Sequence, residues 1–127
     1  MPPFFLEIDR VLRIHLSMIE HYGGEEGLRD VGLLQSAIAM PQASFEGGLL
    51  HKDLFEMAAA YLYHIVQNHP FVDGNKRTGA AAAIIFLAMN GIELEADEEG
   101  LVRLTLGVAE GKVGKQQITE FFRKIAH

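Results

Sequence analysis

The 127-residue chain is 49% hydrophobic and 22% charged, an ordinary composition for a folded protein, and its length predicts one domain over residues 1–127. The formal net charge of −6 argues against direct nucleic-acid binding, because contact with phosphates requires a concentrated basic face. The absence of cysteine excludes disulfides, thiolate zinc sites and a cysteine nucleophile, and the lack of a leader-like or long apolar segment predicts a cytoplasmic protein without a membrane span.

The first part of the chain predicts two helices. Over residues 7–22 the apolar residues recur at steps of three and four, which is typical of an amphipathic helix, and Gly23 ends the pattern. Asp30 is placed to cap a shorter helix that ends near Ala39. That helix must end there, because Pro41 disfavours the helical conformation for the residue before it.

A change of pattern follows the second helix. Residues 41–50 have no helical period and contain a glycine pair between apolar residues, so they form either a loop or a small hairpin. Asp53 and Glu56 then have the spacing of an acidic capping box, which predicts a third helix running toward Asn68. His69, followed by a proline, ends it.

The second half of the chain predicts three more helices. Residues 79–89 are apolar on nearly every side, as expected of a helix buried in the centre of a domain, and Asn90 with the next glycine ends it. Two further helices are predicted over about residues 97–110 and 115–126. The fold class is therefore all-α, with about six helices around a central buried helix.

The residues suited to binding and catalysis are concentrated just before the apolar helix. A helix that starts near Asn75 presents free backbone N–H groups and the positive end of its dipole, which together form an anion site. Gly74 allows the backbone to approach a ligand closely. Lys76 and Arg77 add a compact positive charge and a bidentate fork for phosphate oxygens. This combination predicts a polyphosphate ligand.

The residues before this turn supply two other functions. Asp73 offers a hard carboxylate of the kind that Mg²⁺ takes when it also binds substrate phosphates. His69 offers a proton acceptor near neutral pH. Pro70 and Phe71 lie between them and provide a rigid turn and an apolar anchor. Each residue alone is more often structural than functional, and the hypothesis depends on their joint order.

The segment HPFVDGNKRTG resembles the signature of the Fic and death-on-curing family, H-x-F-x-(D/E)-(G/A)-N-(G/K)-R. Similarity extends to the stretches that begin at Arg29, Asp53, Asn90 and Ala109, and so covers nearly the whole chain. The resemblance implies the Fic fold, in which residues 41–50 correspond to the family's β-hairpin flap. That flap binds the backbone of a target protein as an added strand.

At two positions the chain resembles one branch of this family more than the other. Fic adenylyltransferases have glycine where this chain has Lys76, and a second arginine where it has Ala80. The chain is similar instead to death-on-curing proteins. The resemblance implies the toxin of a type II toxin–antitoxin system, a protein kinase that uses ATP and Mg²⁺. Such a toxin phosphorylates a threonine or serine of a translation factor such as elongation factor Tu and halts translation.

By the same resemblance, His69 takes the proton from the target hydroxyl and Asp73 is the Mg²⁺ ligand. Phe71 holds the loop in the core. Phosphate contacts come from four consecutive residues, Gly74, Asn75, Lys76 and Arg77. The last two also offset charge as the phosphoryl group moves.

Two alternatives stay open on the sequence: a protein adenylyltransferase on the same fold, and a catalytically weak module that binds an antitoxin. The inhibitory pattern (S/T)-x-x-x-E-(G/N) of many Fic proteins is absent, so a separate antitoxin protein is expected as a partner. The remaining histidines are interpreted as packing or surface residues: His15, His21, His51, His64 and His127.

Overall fold

A computed structural model describes residues 2–127 and contains six helices and one hairpin. The helices are α1 (Ile8–Tyr22), α2 (Val31–Ala39), α3 (Leu54–Asn68), α4 (Asn75–Met89), α5 (Glu98–Ala109) and α6 (Lys115–Ile125). The hairpin strands are β1 (Ser44–Phe45) and β2 (Gly48–Leu49), and a 3₁₀ turn at Met40–Gln42 precedes them. The all-α prediction is confirmed, as is the small hairpin in the flap.

Side-chain caps fix where α2 and α3 begin. The Asp30 carboxylate accepts the Leu33 N–H at 3.0 Å, and the Asp53 carboxylate accepts the Glu56 N–H at 2.9 Å. The predicted capping box of α3 is only half formed, because the Glu56 carboxylate accepts the N–H of Lys52 instead of that of Asp53. The reciprocal bond is thus displaced by one residue, but the helix still starts where the sequence predicts it.

Helices α3 and α4 share the centre of the fold. Helix α3 packs against α2, α4, α5 and α6, whereas α4 packs against α1, α3 and α5. Small residues let the two helices approach closely: a Cβ added at Gly79 would lie 2.9 Å from a methyl of Val66. Ala82 and Ala83 are fully buried. The end of α3 and the start of α4 are therefore held in fixed relation to each other.

The flap is a tight hairpin that projects into solvent. Its strands are antiparallel, with Ser44 opposite Leu49 and Phe45 opposite Gly48. Both turn residues have positive φ, 50° at Glu46 and 82° at the following glycine, which is the turn whose twist suits a two-residue hairpin. The Phe45 side chain is 68% exposed. In the described residues these two strands pair only with each other.

None of the helices in residues 2–127 combines the length and the apolar character needed to cross a bilayer.

Candidate active site

The candidate site is built on the loop of residues 69–74, which joins α3 to α4 and is called the site loop below. His69 is the C-cap of α3 and has left-handed backbone angles, φ 51° and ψ 54°. Its N–H still bonds to the Ile65 carbonyl at 3.2 Å. Left-handed angles are costly for a residue with a Cβ and persist only where the surroundings hold them. The chain leaves α3 at His69, whose side chain is exposed.

Arg29 holds the backbone at this point. Its Nε donates to the His69 carbonyl at 2.7 Å, and its Nη2 donates to the Asn68 carbonyl at 3.1 Å. The N–H groups of Arg29 and Asp30 both donate to the Pro70 carbonyl, at 2.7 and 3.0 Å. Carbonyls at a helix C-terminus that have no partner within the helix are thereby satisfied. The segment before α2 thus sets the backbone position of His69 and Pro70.

Phe71 and Asn75 lock the middle of the site loop. Phe71 is 1% exposed, so it holds the loop in the core as expected. Its N–H donates to Asn75 Oδ1 at 3.0 Å, and Asn75 Nδ2 donates to the Phe71 carbonyl at 3.0 Å. The buried Asn75 side chain is therefore committed to the loop. Of its polar groups, the backbone N–H at the start of α4 is the one suited to a phosphate.

The Asp73 carboxylate lies at the surface and is oriented by two backbone donors. Glu25 N–H donates to Oδ2 at 3.2 Å, and Gly74 N–H donates to Oδ1 at 2.8 Å. These two bonds, and after them the charges of Lys76 and Arg77, lower the pKa of Asp73 below its ordinary value. The group is thus ionised at neutral pH, as a cation ligand must be. Each oxygen keeps a free lone pair for that purpose.

The start of α4 has the features of an anion site. Gly74 is its N-cap with φ 79°, and no side chain caps the first turn. Lys76 and Arg77 lie in that turn and are exposed. The Arg77 guanidinium stacks over the Tyr22 ring, 4.6 Å from its centroid. Backbone donors and two cations are therefore presented next to the Asp73 carboxylate.

Helix α1 contributes a residue that the sequence interpretation left among the ordinary histidines. His15 is 5% exposed and stacks on Phe71, with 3.8 Å between ring centroids and 4° between ring planes. Its Nε2 lies 2.8 Å from the Asp73 carbonyl oxygen. One signal was present in the sequence, because His15 falls on the apolar stripe of α1. Nothing in the sequence identified its partner 58 residues away.

Two other histidines, one just after the flap and one on α3, form a separate cluster around Lys115 at the start of α6. Nε2 of His51 and Nε2 of His64 each lie 3.2 Å from the Lys115 ammonium. Burial, the charge of Lys115 and the proximity of His51 lower the pKa of His64 to about 4. Burial and the charge of Lys115 also lower the pKa of His51. Both rings therefore accept hydrogen bonds from Lys115 in the neutral form. They take no part in the site loop, which fits their interpretation as packing or surface residues.

Comparison with known proteins identifies the class to which this fold and loop belong. The model of the Fic/DOC family matches residues 5–87, more than half of the chain and all of the site loop. The chain belongs to the Fic/DOC family. It is 32% identical to the protein kinase doc of Escherichia phage P1 over 117 residues, which cover 92% of this chain and 91% of the phage protein.

A second relative is more similar over a shorter stretch. The chain is 50% identical to the toxin Doc of Mycolicibacterium smegmatis over 76 residues, 60% of this chain. The match spans 58% of the mycobacterial protein, little more than half of its length.

Proposed function

We propose that this protein is the toxin of a type II toxin–antitoxin system and acts as a protein kinase, transferring the γ-phosphate of ATP to a threonine or serine hydroxyl of a translation factor. One observation carries the proposal. An exposed imidazole, an ionised carboxylate and an uncapped helix N-terminus with two cations occur within nine consecutive residues, His69 to Arg77. The names of the two relatives, a kinase and a toxin, support the same reading.

In the proposed reaction, His69 accepts the proton of the target hydroxyl as its oxygen attacks the γ-phosphorus. A bond forms between that oxygen and phosphorus, and the bond from phosphorus to the β,γ-bridging oxygen breaks. ADP leaves with the electron pair. Lys76, Arg77 and the N–H groups at the start of α4 bind the phosphate oxygens and offset negative charge that develops during transfer. Exposure of the His69 side chain lets a protein substrate reach it.

The Asp73 carboxylate fits a Mg²⁺ ion bound together with nucleotide phosphates. The described residues hold no group of three or more histidine, aspartate or glutamate side chains that could enclose a metal. A cation at Asp73 would therefore take its other ligands from phosphate oxygens and water, which is the coordination Mg²⁺ prefers at such sites. When bound, Mg²⁺ would neutralise phosphate charge. The Glu25 and Gly74 N–H groups keep the carboxylate turned to the surface for it.

Lys76 favours phosphoryl transfer over nucleotidyl transfer in this proposal. A lysine at this position in the first turn of α4 adds a positive charge where adenylyltransferases of the family have glycine. We expect that charge to seat the nucleotide with its γ-phosphate, instead of its α-phosphate, facing His69. The chain has Ala80 where adenylyltransferases of the family have a second arginine, so it lacks a contact that would favour the orientation with the α-phosphate facing His69.

The flap supports recognition of a protein substrate. Its two short strands pair only with each other within residues 2–127, so their outer edges are open to a further strand, although Lys52 Nζ already donates to the Leu49 carbonyl at 3.1 Å. Phe45 and Leu49 are exposed beside those edges. An extended segment of the target could add to such an edge as a third strand. Elongation factor Tu, a cytoplasmic protein, is the substrate we propose to test first, and a cognate antitoxin is the expected inhibitor.

The proposal is tested by incubating the purified protein with Mg²⁺, elongation factor Tu and ATP labelled at either the α- or the γ-phosphate. We expect label to enter the factor from the γ-position only, and to be lost in His69→Ala. His127→Ala, which removes an exposed histidine elsewhere, is the matched control and should transfer normally. Label arriving only from the α-position would show an adenylyltransferase and refute the kinase proposal.

A growth experiment tests the toxin role separately. Induction of the wild type should arrest growth, whereas His69→Ala and Lys76→Gly should not, with all three proteins present at equal levels. Unimpaired growth in the presence of intact wild-type protein contradicts the toxin role. A labelled band other than elongation factor Tu in a cell lysate would correct the substrate and leave the reaction unchanged.

A further inference from the structure

His15 donates a hydrogen bond to the backbone of the site loop. Its Nε2 lies 2.8 Å from the Asp73 carbonyl oxygen. A carbonyl oxygen can only accept, so Nε2 carries the proton in this contact. The His15 ring is 5% exposed, so this donor is held inside the protein, whereas Asp73 lies at the surface. Loss of His15 would therefore remove the fixed donor that holds the Asp73 carbonyl in one direction.

The direction of this donor is fixed by stacking. The imidazole lies parallel to the Phe71 ring, at 4° and with 3.8 Å between centroids. Phe71 in turn is held through both its N–H and its carbonyl by the Asn75 side chain. The imidazole therefore has a defined plane, and Nε2–H points at one place in the loop. Helix α1 thus supplies a rigid donor beneath the Asp73–Gly74 peptide.

The orientation of that peptide decides what the start of α4 presents to a ligand. A carbonyl and the next N–H belong to one planar unit and point in opposite directions. With the Asp73 carbonyl held toward His15, the Gly74 N–H points the other way and bonds to Asp73 Oδ1 at 2.8 Å. If the peptide rotated by half a turn, the carbonyl oxygen would face the phosphate-binding side and repel an anion.

Such a rotation would meet little intrinsic resistance. Gly74 has φ 79° and no Cβ, so its backbone can adopt the angles of either peptide orientation at low cost. Because residue 74 is a glycine, it also has no side chain that could cap α4. Among the hydrogen bonds within residues 2–127, the His15 bond is the one made to the Asp73 carbonyl oxygen. The preference for one orientation therefore depends on the Gly74 N–H bond to Asp73 Oδ1 within the motif and on His15 outside it.

We propose that His15 is a positioning residue that keeps the Asp73 carbonyl turned away from the anion site, and so keeps the start of α4 able to bind nucleotide phosphates. The inference rests on the proposed function, since it takes the ligand to be a nucleoside triphosphate. His15 does not touch the reacting atoms. Its effect is transmitted through one peptide unit.

Two substitutions separate the hydrogen bond from the stack. His15→Phe keeps an aromatic ring on Phe71 and removes the donor. His15→Gln keeps a donor of similar reach and removes the ring. His21→Phe is the matched control on the same helix, because the His21 ring is exposed and its hydrogen bonds are to the Ser17 carbonyl and hydroxyl one turn earlier. Thermal unfolding of each variant establishes that it is folded at the assay temperature.

The first measurement is the affinity for the Mg²⁺ complex of β,γ-imido-ATP by calorimetry, which requires no transfer reaction. We expect His15→Phe to raise Kd about tenfold, as for loss of one well-placed hydrogen bond, and His15→Gln to stay within about threefold of wild type. His21→Phe should be unchanged. A purely structural role for the ring predicts the reverse order, with His15→Gln the weaker binder, and that result would overturn the proposal.

The second measurement is the amide resonance of Gly74 in ¹⁵N-labelled protein without nucleotide. Rotation of the peptide in His15→Phe should move this resonance, whereas His15→Gln should leave it near its wild-type position. An unmoved Gly74 resonance in His15→Phe overturns the proposal whatever the affinity. If the wild type binds no nucleotide, the proposed function fails, while the Gly74 resonance still decides whether His15 orients the peptide.

Discussion

At each end of helix α4 an asparagine side chain makes two hydrogen bonds to the backbone of a phenylalanine, and the asparagine at the start of the helix offers a test of the site. At its start, the Asn75 side chain brackets the backbone of Phe71 with two hydrogen bonds of 3.0 Å. At its C-cap, Asn90 brackets the backbone of Phe4 with bonds of 2.8 and 3.0 Å. Asn90 also donates to the Phe86 carbonyl at 2.8 Å. We predict that Asn75→Ala and Asn90→Ala affect stability and activity very differently.

The difference in magnitude follows from burial. Asn75→Ala leaves both the N–H and the carbonyl of Phe71 without a partner, and Asn75 and Phe71 are only 5% and 1% exposed. Each orphaned buried group costs about 1–3 kcal/mol, so the free energy of unfolding should fall by about 3 kcal/mol. Around Asn90 the bonds to Phe4 are exposed, and water can replace the lost partners. Asn90→Ala should therefore cost about 1 kcal/mol.

Urea unfolding and γ-phosphate transfer, measured on the same preparations, test this reasoning. A loss of about 3 kcal/mol should leave Asn75→Ala folded in the absence of urea, since domains of this size have roughly 5–15 kcal/mol of stability. Transfer per folded molecule should drop at least about tenfold in Asn75→Ala, because the loop that carries His69 and Asp73 loses its central support. Asn90→Ala should transfer normally. Equal unfolding free energies for wild type and Asn75→Ala would refute the argument from burial.

Two further predictions concern the packing and the pH dependence of the fold. In Gly79→Ala the new Cβ would lie 2.9 Å from a Val66 methyl and 3.1 Å from the Leu62 carbonyl, so α3 and α4 must move apart. The strain should exceed the gain in helix propensity and lower the unfolding free energy by about 1–2 kcal/mol; a stabilised variant would contradict the close packing. Burial and then the charge of Lys115 lower the pKa of His64 to about 4 from an ordinary 6.5. The folded protein therefore resists protonation of this ring, and the free energy of unfolding is highest above about pH 6.5 and decreases as the pH falls toward 4. Between pH 7 and pH 5 the free energy of unfolding should fall by about 1 kcal/mol after discounting for solvent screening. In Lys115→Met, urea unfolding should give a smaller fall over the same pH range. An equal fall in the two proteins would contradict the contribution of Lys115.

Much of the local structure was determined by the sequence alone. Apolar periodicity and the caps Asp30 and Asp53 placed the helix ends to within a residue or two, because both depend on residues that are close together in the chain. The motif from His69 to Arg77 was also recognisable, since its residues are consecutive. The local pattern of residues 41–50 left open a loop or a hairpin, the family resemblance implied a hairpin, and the structure has one with positive φ at both turn residues.

The contacts that hold the site loop in place were determined only by the tertiary structure. His15, Arg29 and the Glu25 N–H reach the site loop from 58, 40 and 48 residues away. Their contacts depend on how α1 and the segment before α2 pack against the end of α3, and no periodicity encodes that. The same holds for the Asn75 side chain, which folding buries against Phe71 as an internal support, so that the backbone N–H is the part of Asn75 proposed to contact phosphate. Sequence determined which groups could do chemistry, whereas packing determined which of them face a ligand.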